Sequence, residues 1–235
     1  MLRGERNGRD YLVNLLRKEG MKQVDFAGCG VNTDGQSALF DVIKHHPNLV
    51  WLCLDHNKLN DRDAIGLSDA LRYNRTLDEL QLRGNEFTIL GEEVLMNVVY
   101  NDSSLNAVAD SNHVCTIEGL DSWDSSSVYN NSNYRHYKND QKLNRAQKIF
   151  DLLEERNIES TNVYHLETEM GEDTLKVVPL ALAAVQIYGE QRLKRTEWRG
   201  TTFVTIEDAP ELSITYELLR SWHVTALFDG SARAS

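Results

Sequence analysis

The chain has 235 residues, enough for one long domain or for a repeat array with a cap. Acidic residues outnumber basic ones by 36 to 25, and the pI is near 5.1, which argues against nonspecific nucleic-acid binding and against docking on an anionic membrane. No apolar run reaches the roughly 18 residues of a membrane helix; the longest candidate, Val177 to Ile187, is short and contains Pro179.

The N-terminal stretch MLRGERNGRDYL lacks a secretory apolar core. Residues 9 to 19 read as a helix with Tyr11, Leu12, Leu15 and Leu16 apolar, and residues 1 to 20 are expected to form an N-terminal cap.

From Met21 a pattern recurs every 28 residues. It reads Met21-x-x-Val24-x-Phe26-x-x-Cys29, Leu49-x-x-Leu52-x-Leu54-x-x-Asn57, Leu77-x-x-Leu80-x-Leu82-x-x-Asn85 and Leu105-x-x-Val108-x-Asp110-x-x-His113. A fixed period of this length marks stacked supersecondary units, none of which buries its apolar face alone. Each unit opens with alternation, the signature of a short strand, near residues 23 to 26, 51 to 54, 79 to 82 and 107 to 110. Apolar pairs one helical turn apart come next: Ala38, Leu39, Val42 and Ile43, then Ile65, Leu67, Ala70 and Leu71, then Val94, Leu95, Val98 and Val99. Asp34 is placed to cap the first of these helices and Pro47 follows its end, whereas no regular helix follows the fourth strand. Strands stack at about 4.8 Å and helices are about 10 Å wide, so such a stack curves with its strands on the concave side. The ninth position of each unit, Cys29, Asn57, Asn85 and His113, is expected to turn inward and form a ladder of bonds to loop backbone groups.

Residues 119 to 140 form a polar tract rich in Ser, Asn and Tyr, read as an exposed loop insertion. Residues 141 to 235 are expected to be a mainly helical C-terminal cap. Its helices are 141 to 156, with Leu143, Ala146, Phe150 and Leu153 on one face, Thr174 to Arg195, starting cleanly at Pro179, and Pro210 to Trp222. Asn162 to Glu167 would supply a fifth strand, and Thr202 to Ile206 alternates weakly.

Side chains between the strand leucines would face outward. They are Gln23 and Asp25 in the first unit, Trp51, Cys53, Asp55 and His56 in the second, and Glu79, Gln81 and Arg83 in the third. Trp51 either anchors a partner or packs on the chain's own loops or cap; interface hot spots are enriched in Trp and Arg. Asp25, Asp55 and Glu79 around Arg83 suit a partner with a basic surface. The exposed helices offer no comparable aromatic in the first three units.

Signals for chemistry are sparse. His45-His46 reads as an exposed helix end, Cys115 as core, and no phosphate loop is present. Cys53 and His56 lie close in sequence but on opposite faces of a strand, which disfavours a thiolate nucleophile. No cofactor and no metal are expected. Three cysteines without a paired framework suit a reducing, intracellular compartment, most simply the cytoplasm, with an organelle as the alternative if a targeting segment has been removed. The glycosylation triplets at Asn74, Asn101 and Asn130 carry little weight against that.

The units resemble the leucine-rich repeat family, in its ribonuclease-inhibitor-like branch, whose pattern is L-x-x-L-x-L-x-x-N/C-x-L. Leu49 to Leu59 matches every consensus position and Leu77 to Phe87 nearly so; the likeness covers about residues 9 to 115 and fades at Asp110. Asn144 to Leu166 is similar in general character to repeat proteins of single-celled algae. The resemblance implies an α/β solenoid, with a short parallel sheet and outer helices, that binds protein without catalysis as a scaffold or accessory subunit. It also implies an alternative, regulation of an enzyme, for instance activation of a small GTPase through Arg83; a third reading, an enzyme in its own right, would need a deep pocket between the concave face and the cap. The partner's identity and the oligomeric state stay open.

Overall fold

The structure, a computed structural model, describes residues 8–18, 20–120, 140–159, 161–169, 179–187 and 214–215. It is α/β, with a short parallel four-stranded sheet and helices, in two compact units. The first unit comprises residues 1–101 and 111–141, and the second residues 102–110 and 142–235.

The first unit alternates helix and strand. In chain order it holds α1 (Gly8–Leu16), β1 (Gln23–Asp25), α2 (Ser37–His45), β2 (Trp51–Cys53), α3 (Asp61–Tyr73), β3 (Glu79–Gln81) and α4 (Ile89–Val99). After α5 (Leu105–Asp110), which belongs to the second unit, comes β4 (Thr116–Glu118), the last strand among the described residues. The strands pair in sequence order, all parallel. Val24 pairs with Leu52, Leu52 with Leu80 and Leu80 with Ile117, so one apolar row runs through the sheet. Strand residues alternate in direction, which turns this row onto the helices. There it meets Leu12 and Leu16 of α1, Leu39 and Ile43 of α2, Leu67 and Leu71 of α3, and Leu95 and Val99 of α4 in one core.

Carboxylates hold the starts of α3 and α4. Asn60 accepts from Arg62 N, while Asp63 Oδ2 accepts from Asn60 N at 2.9 Å, a capping box at the head of α3. Asp63 is fully buried, and its other oxygen takes the Thr33 hydroxyl and the Gly35 amide of the preceding loop. Asp61 in turn holds the Thr88 amide and hydroxyl before α4, and α4 approaches so closely that Gly91 has no room for a Cβ.

Several expectations fail here. Residues 107 to 110 are not the fourth strand: they lie in helix α5, and the strand forms at 116–118. The 28-residue period does not carry through, because α5 lengthens the path between β3 and β4. Asp34 does not cap α2. It has φ 48° and pairs with Arg62, and Gln36 stands at the cap without a capping bond from its side chain, which accepts from Arg9 instead. Ala38 and Ile65 are exposed rather than core-facing, as is Tyr11 of α1. Tyr73 is an exposed aromatic on α3, with Lys44 Nζ 3.9 Å above its ring, so the helix side does offer one. His46 is buried rather than an exposed terminus.

The second unit contains α5, α6 (Gln141–Ile158), α7 (Asn162–Glu169) and a helical run at 179–187. Leu143, Ala146, Phe150 and Leu153 are buried along α6 as their spacing predicts. Asn162 to Glu167 is helix, not strand: Asn162 Nδ2 donates to Leu153 O, and the amide of His165 to Thr161 O, so backbone bonding closes locally. Arg156, buried, pairs with Glu169 at 2.8 Å. Residues 179–187 are helical, within the helix expected over Thr174–Arg195. The rest of the Thr174–Arg195 helix, Thr202 to Ile206, all but 214–215 of the Pro210–Trp222 helix, and 121–139 of the polar tract lie outside the described residues. Leu120, at the start of the tract, joins the core of the first unit.

Candidate partner-binding face

The face of the sheet opposite the core carries two rows. Gln23, Trp51, Glu79 and Thr116 align in one, and Asp25, Cys53, Gln81 and Glu118 in the other. The sequence places Gln23, Asp25, Trp51, Cys53, Glu79 and Gln81 here, and the structure brings them together. Thr116 and Glu118 escape sequence reading because the fourth strand is expected nine residues too early.

Trp51 is half-buried, and its indole Nε1 donates to Glu79 Oε1 at 2.9 Å. Gln81 Nε2 donates to the same oxygen at 2.8 Å. Two donors on one carboxylate oxygen hold the indole edge in place, so the ring is positioned before any partner arrives. Asp25, exposed, accepts from the Ala27 amide two residues on. Asp55 Oδ1 accepts from Arg83 N at 2.7 Å, which joins the ends of β2 and β3. Arg83 and His56 are exposed; His56 sits at φ 55°, and its ring fills the space where Gly84 would carry a Cβ.

Cys53 departs from expectation, being buried rather than open on the face. Burial pushes its thiol up, with the charges of Asp55 and Asp25 adding to that, against a backbone bond at Asp55 that lowers it. A thiol held in its protonated form does not favour a nucleophilic role beside His56. Glu118 is also raised from its ordinary value, first by partial desolvation of an otherwise exposed side chain and then by the charges of Glu79 and Asp55. These carboxylates therefore share one field, and Asp25 extends it along the second row.

The ladder residues divide. Asn57 is buried; its oxygen accepts from Val31 N, and its nitrogen donates to Phe26 O and Leu54 O. Asn85 accepts from Leu59 N and donates to Leu54 O and Leu82 O. Cys29 does not continue the ladder: it is exposed and donates only to its neighbour Ala27 O at 3.4 Å. His113 is not a ladder residue either, because the unit it was counted in has a different length; it lies between α5 and β4.

A second ladder, at the other ends of the strands, is missed by sequence reading. His46 Nδ1 accepts from Asn48 N and Leu49 N, which places the ring proton on Nε2, and Nε2 donates to Leu16 O at 3.0 Å. Asn74 accepts from Thr76 N and Leu77 N and donates to Ile43 O. Asn112 accepts from Val114 N and Cys115 N and donates to Leu71 O. The signal was present: each precedes the first apolar residue of its strand segment by three positions. Cys115 thus occupies the place of Leu49 and Leu77, buried as expected but by a different register. Asn74, being buried and bonded on both sides, is no open glycosylation acceptor in the folded chain.

Among the described residues, no group of three or more His, Cys, Asp or Glu side chains gathers as a metal site would need, and no helix is long and apolar enough to cross a membrane. In comparisons with known proteins, no family model, no curated protein and no solved structure matches the chain.

Proposed function

We propose that the chain is a short leucine-rich solenoid of the ribonuclease-inhibitor-like kind with a helical C-terminal cap. In this reading it serves as a non-catalytic protein-binding scaffold or accessory subunit, and its open sheet face takes a partner with a basic surface. The solenoid reading is supported by parallel strands in chain order, by partners 28 positions apart in β1, β2 and β3, and by the amide ladder of Asn57 and Asn85. A stack of this kind exposes much surface for its mass. Three free cysteines, two of them buried, fit a reducing compartment.

The observation that carries the binding reading is Trp51, fixed by Glu79 in the middle of a face that also bears Asp25, Asp55 and Glu118. A pre-positioned aromatic spends little ordering entropy on binding, and the surrounding carboxylates attract cations and suppress acidic competitors. The test is affinity capture from a cell extract with the full chain, followed by titration of the purified partner. Trp51→Ala should weaken equilibrium binding by about 2 kcal/mol, as for a central anchor. Asp25→Asn should chiefly slow association and flatten its salt dependence. Equal binding by wild type and Trp51→Ala, with loss in variants of α6, would move the interface to the second unit and overturn this assignment.

A further inference from the structure

On one side the sheet stops at β1 with part of that strand's backbone unpaired. Lys22 O accepts from Trp51 N at 3.0 Å, and Phe26 N donates to Cys53 O at 3.0 Å. Backbone groups alternate in direction along a strand, so Lys22, Val24 and Phe26 turn theirs toward β2, and Gln23 and Asp25 turn theirs away. The next strand works the same way: Trp51 N and Cys53 O serve β1, while Val50 O and Leu54 N serve β3. β1 ends the strand order, Gln23 and Asp25 are exposed, and among the described residues nothing bonds their N–H and C=O groups. The side chains beside this edge are uncovered too. Tyr11 of α1 stacks on Phe26 with ring centroids 6.0 Å apart, yet it is 60% exposed. Asp25 makes no ion pair among the described residues, and its carboxylate accepts only the Ala27 amide.

We propose that the β1 edge is a strand-docking site, and that its occupant is an extended segment of a partner protein in which apolar and basic residues alternate. The outward donors and acceptors of Gln23 and Asp25 repeat at the spacing of a strand, and only extended backbone meets all of them in register, so the edge itself selects the conformation of what binds. On the added strand every second side chain turns to the helix side. There an apolar group would cover the Tyr11 ring and continue the row of Val24, Leu52, Leu80 and Ile117. The side chains between turn to the sheet face beside Asp25, where a basic group meets an unpaired carboxylate. The site lengthens the sheet at its edge and does not depend on Trp51.

The experiment uses the full chain, isotope-labelled for NMR, and the peptide acetyl-Leu-Lys-Leu-Lys-Leu-amide. Binding should saturate in the millimolar range expected for so short a ligand. At saturation, exchange of the Gln23 and Asp25 amides should slow several-fold, while that of Val24, whose amide already faces β2, stays unchanged. The fully N-methylated peptide keeps the side chains, loses every donor and should not bind. Gln23→Pro removes an outward N–H at the first position of an edge strand, where proline fits, without touching a bond to β2, and should abolish binding. Should Gln23→Pro fail to fold, Tyr11→Ser, at an exposed position, should weaken binding several-fold. No saturable binding, equal shifts with the N-methylated peptide, unprotected Gln23 and Asp25 amides at saturation, or full binding by a folded Gln23→Pro or by Tyr11→Ser would each overturn the proposal. So would dimerisation of the chain alone that protects the same two amides, which would give the edge to a second copy.

Discussion

The two ends of the strands are held by different ladders. After the strands, Asn57 and Asn85 are the same residue at one period, and each ties its own turn to the loop of the preceding unit. Before the strands, His46, Asn74 and Asn112 make one set of bonds with two residue types and unequal spacing. The job there is small: accept two amides from the residues two and three places on, and donate to the last carbonyls of the neighbouring helix. Imidazole and carboxamide both offer one acceptor beside one donor. The position therefore tolerates a change of residue, and it also survives the insertion of α5 between Asn74 and Asn112. Periodicity reveals the first ladder; the second shows in the sequence only as a polar residue three places before each strand segment's first apolar residue.

The largest effect is expected from removing one rung of each ladder. Asn74→Ala leaves Ile43 O, Thr76 N and Leu77 N without their partner inside the protein, and should cost on the order of 3 kcal/mol in urea unfolding. Asn57→Ala should cost about as much, since it strands Val31 N and Phe26 O. A full loss at Asn57 with almost none at Asn74 would make the second ladder ornamental.

A finer test exchanges residue types within the second ladder. His46→Asn should cost less than about 1 kcal/mol, because asparagine performs that role at 74 and 112, whereas His46→Leu should cost about 2 kcal/mol or more by leaving Asn48 N, Leu49 N and Leu16 O unpaired. Equal losses in both variants would mean that ring packing, not bonding, fixes His46.

The smallest effect concerns the sheet face. Partial desolvation and the charges of Glu79 and Asp55 raise the Glu118 carboxyl in the folded chain, so the fold holds that proton more tightly than the unfolded chain does. Stability from this group therefore falls as pH rises through the window between the ordinary carboxylate value and the raised one. Glu118→Gln should be more stable than wild type at neutral pH, by a few tenths of a kcal/mol at most on so exposed a side chain, and the difference should vanish below the ordinary carboxylate range. A gain that persists in acid would assign the effect to packing rather than charge.

Much of the first unit was legible in the sequence because packing imposes a period. Val24, Leu52 and Leu80 recur at 28 because each must land on the same row of one sheet. The fourth strand was not legible: Leu105, Val108 and Ala109 continue the apolar rhythm, yet they face one side of a helix, and short apolar runs suit either structure. Asn162 to Glu167 misleads in the same way. On the site, Trp51, Glu79 and Gln81 were visible as outward residues, but the shared oxygen that joins them was not, because cross-strand register and rotamer decide it. Cys53 reads as open by alternation and is buried, which the two-residue period alone does not reveal.

One detail of β1 bears on how such a sheet ends. β1 is an edge, and the backbone of an edge invites further strands. Just past it, the Asp25 carboxylate takes the Ala27 amide and the Cys29 thiol donates to the Ala27 carbonyl. Both backbone groups of Ala27 are thereby taken by neighbouring side chains. Pairing that ran on past Asp25 would have to break these two local bonds, so the turn after β1 limits how far an added strand could extend along that edge.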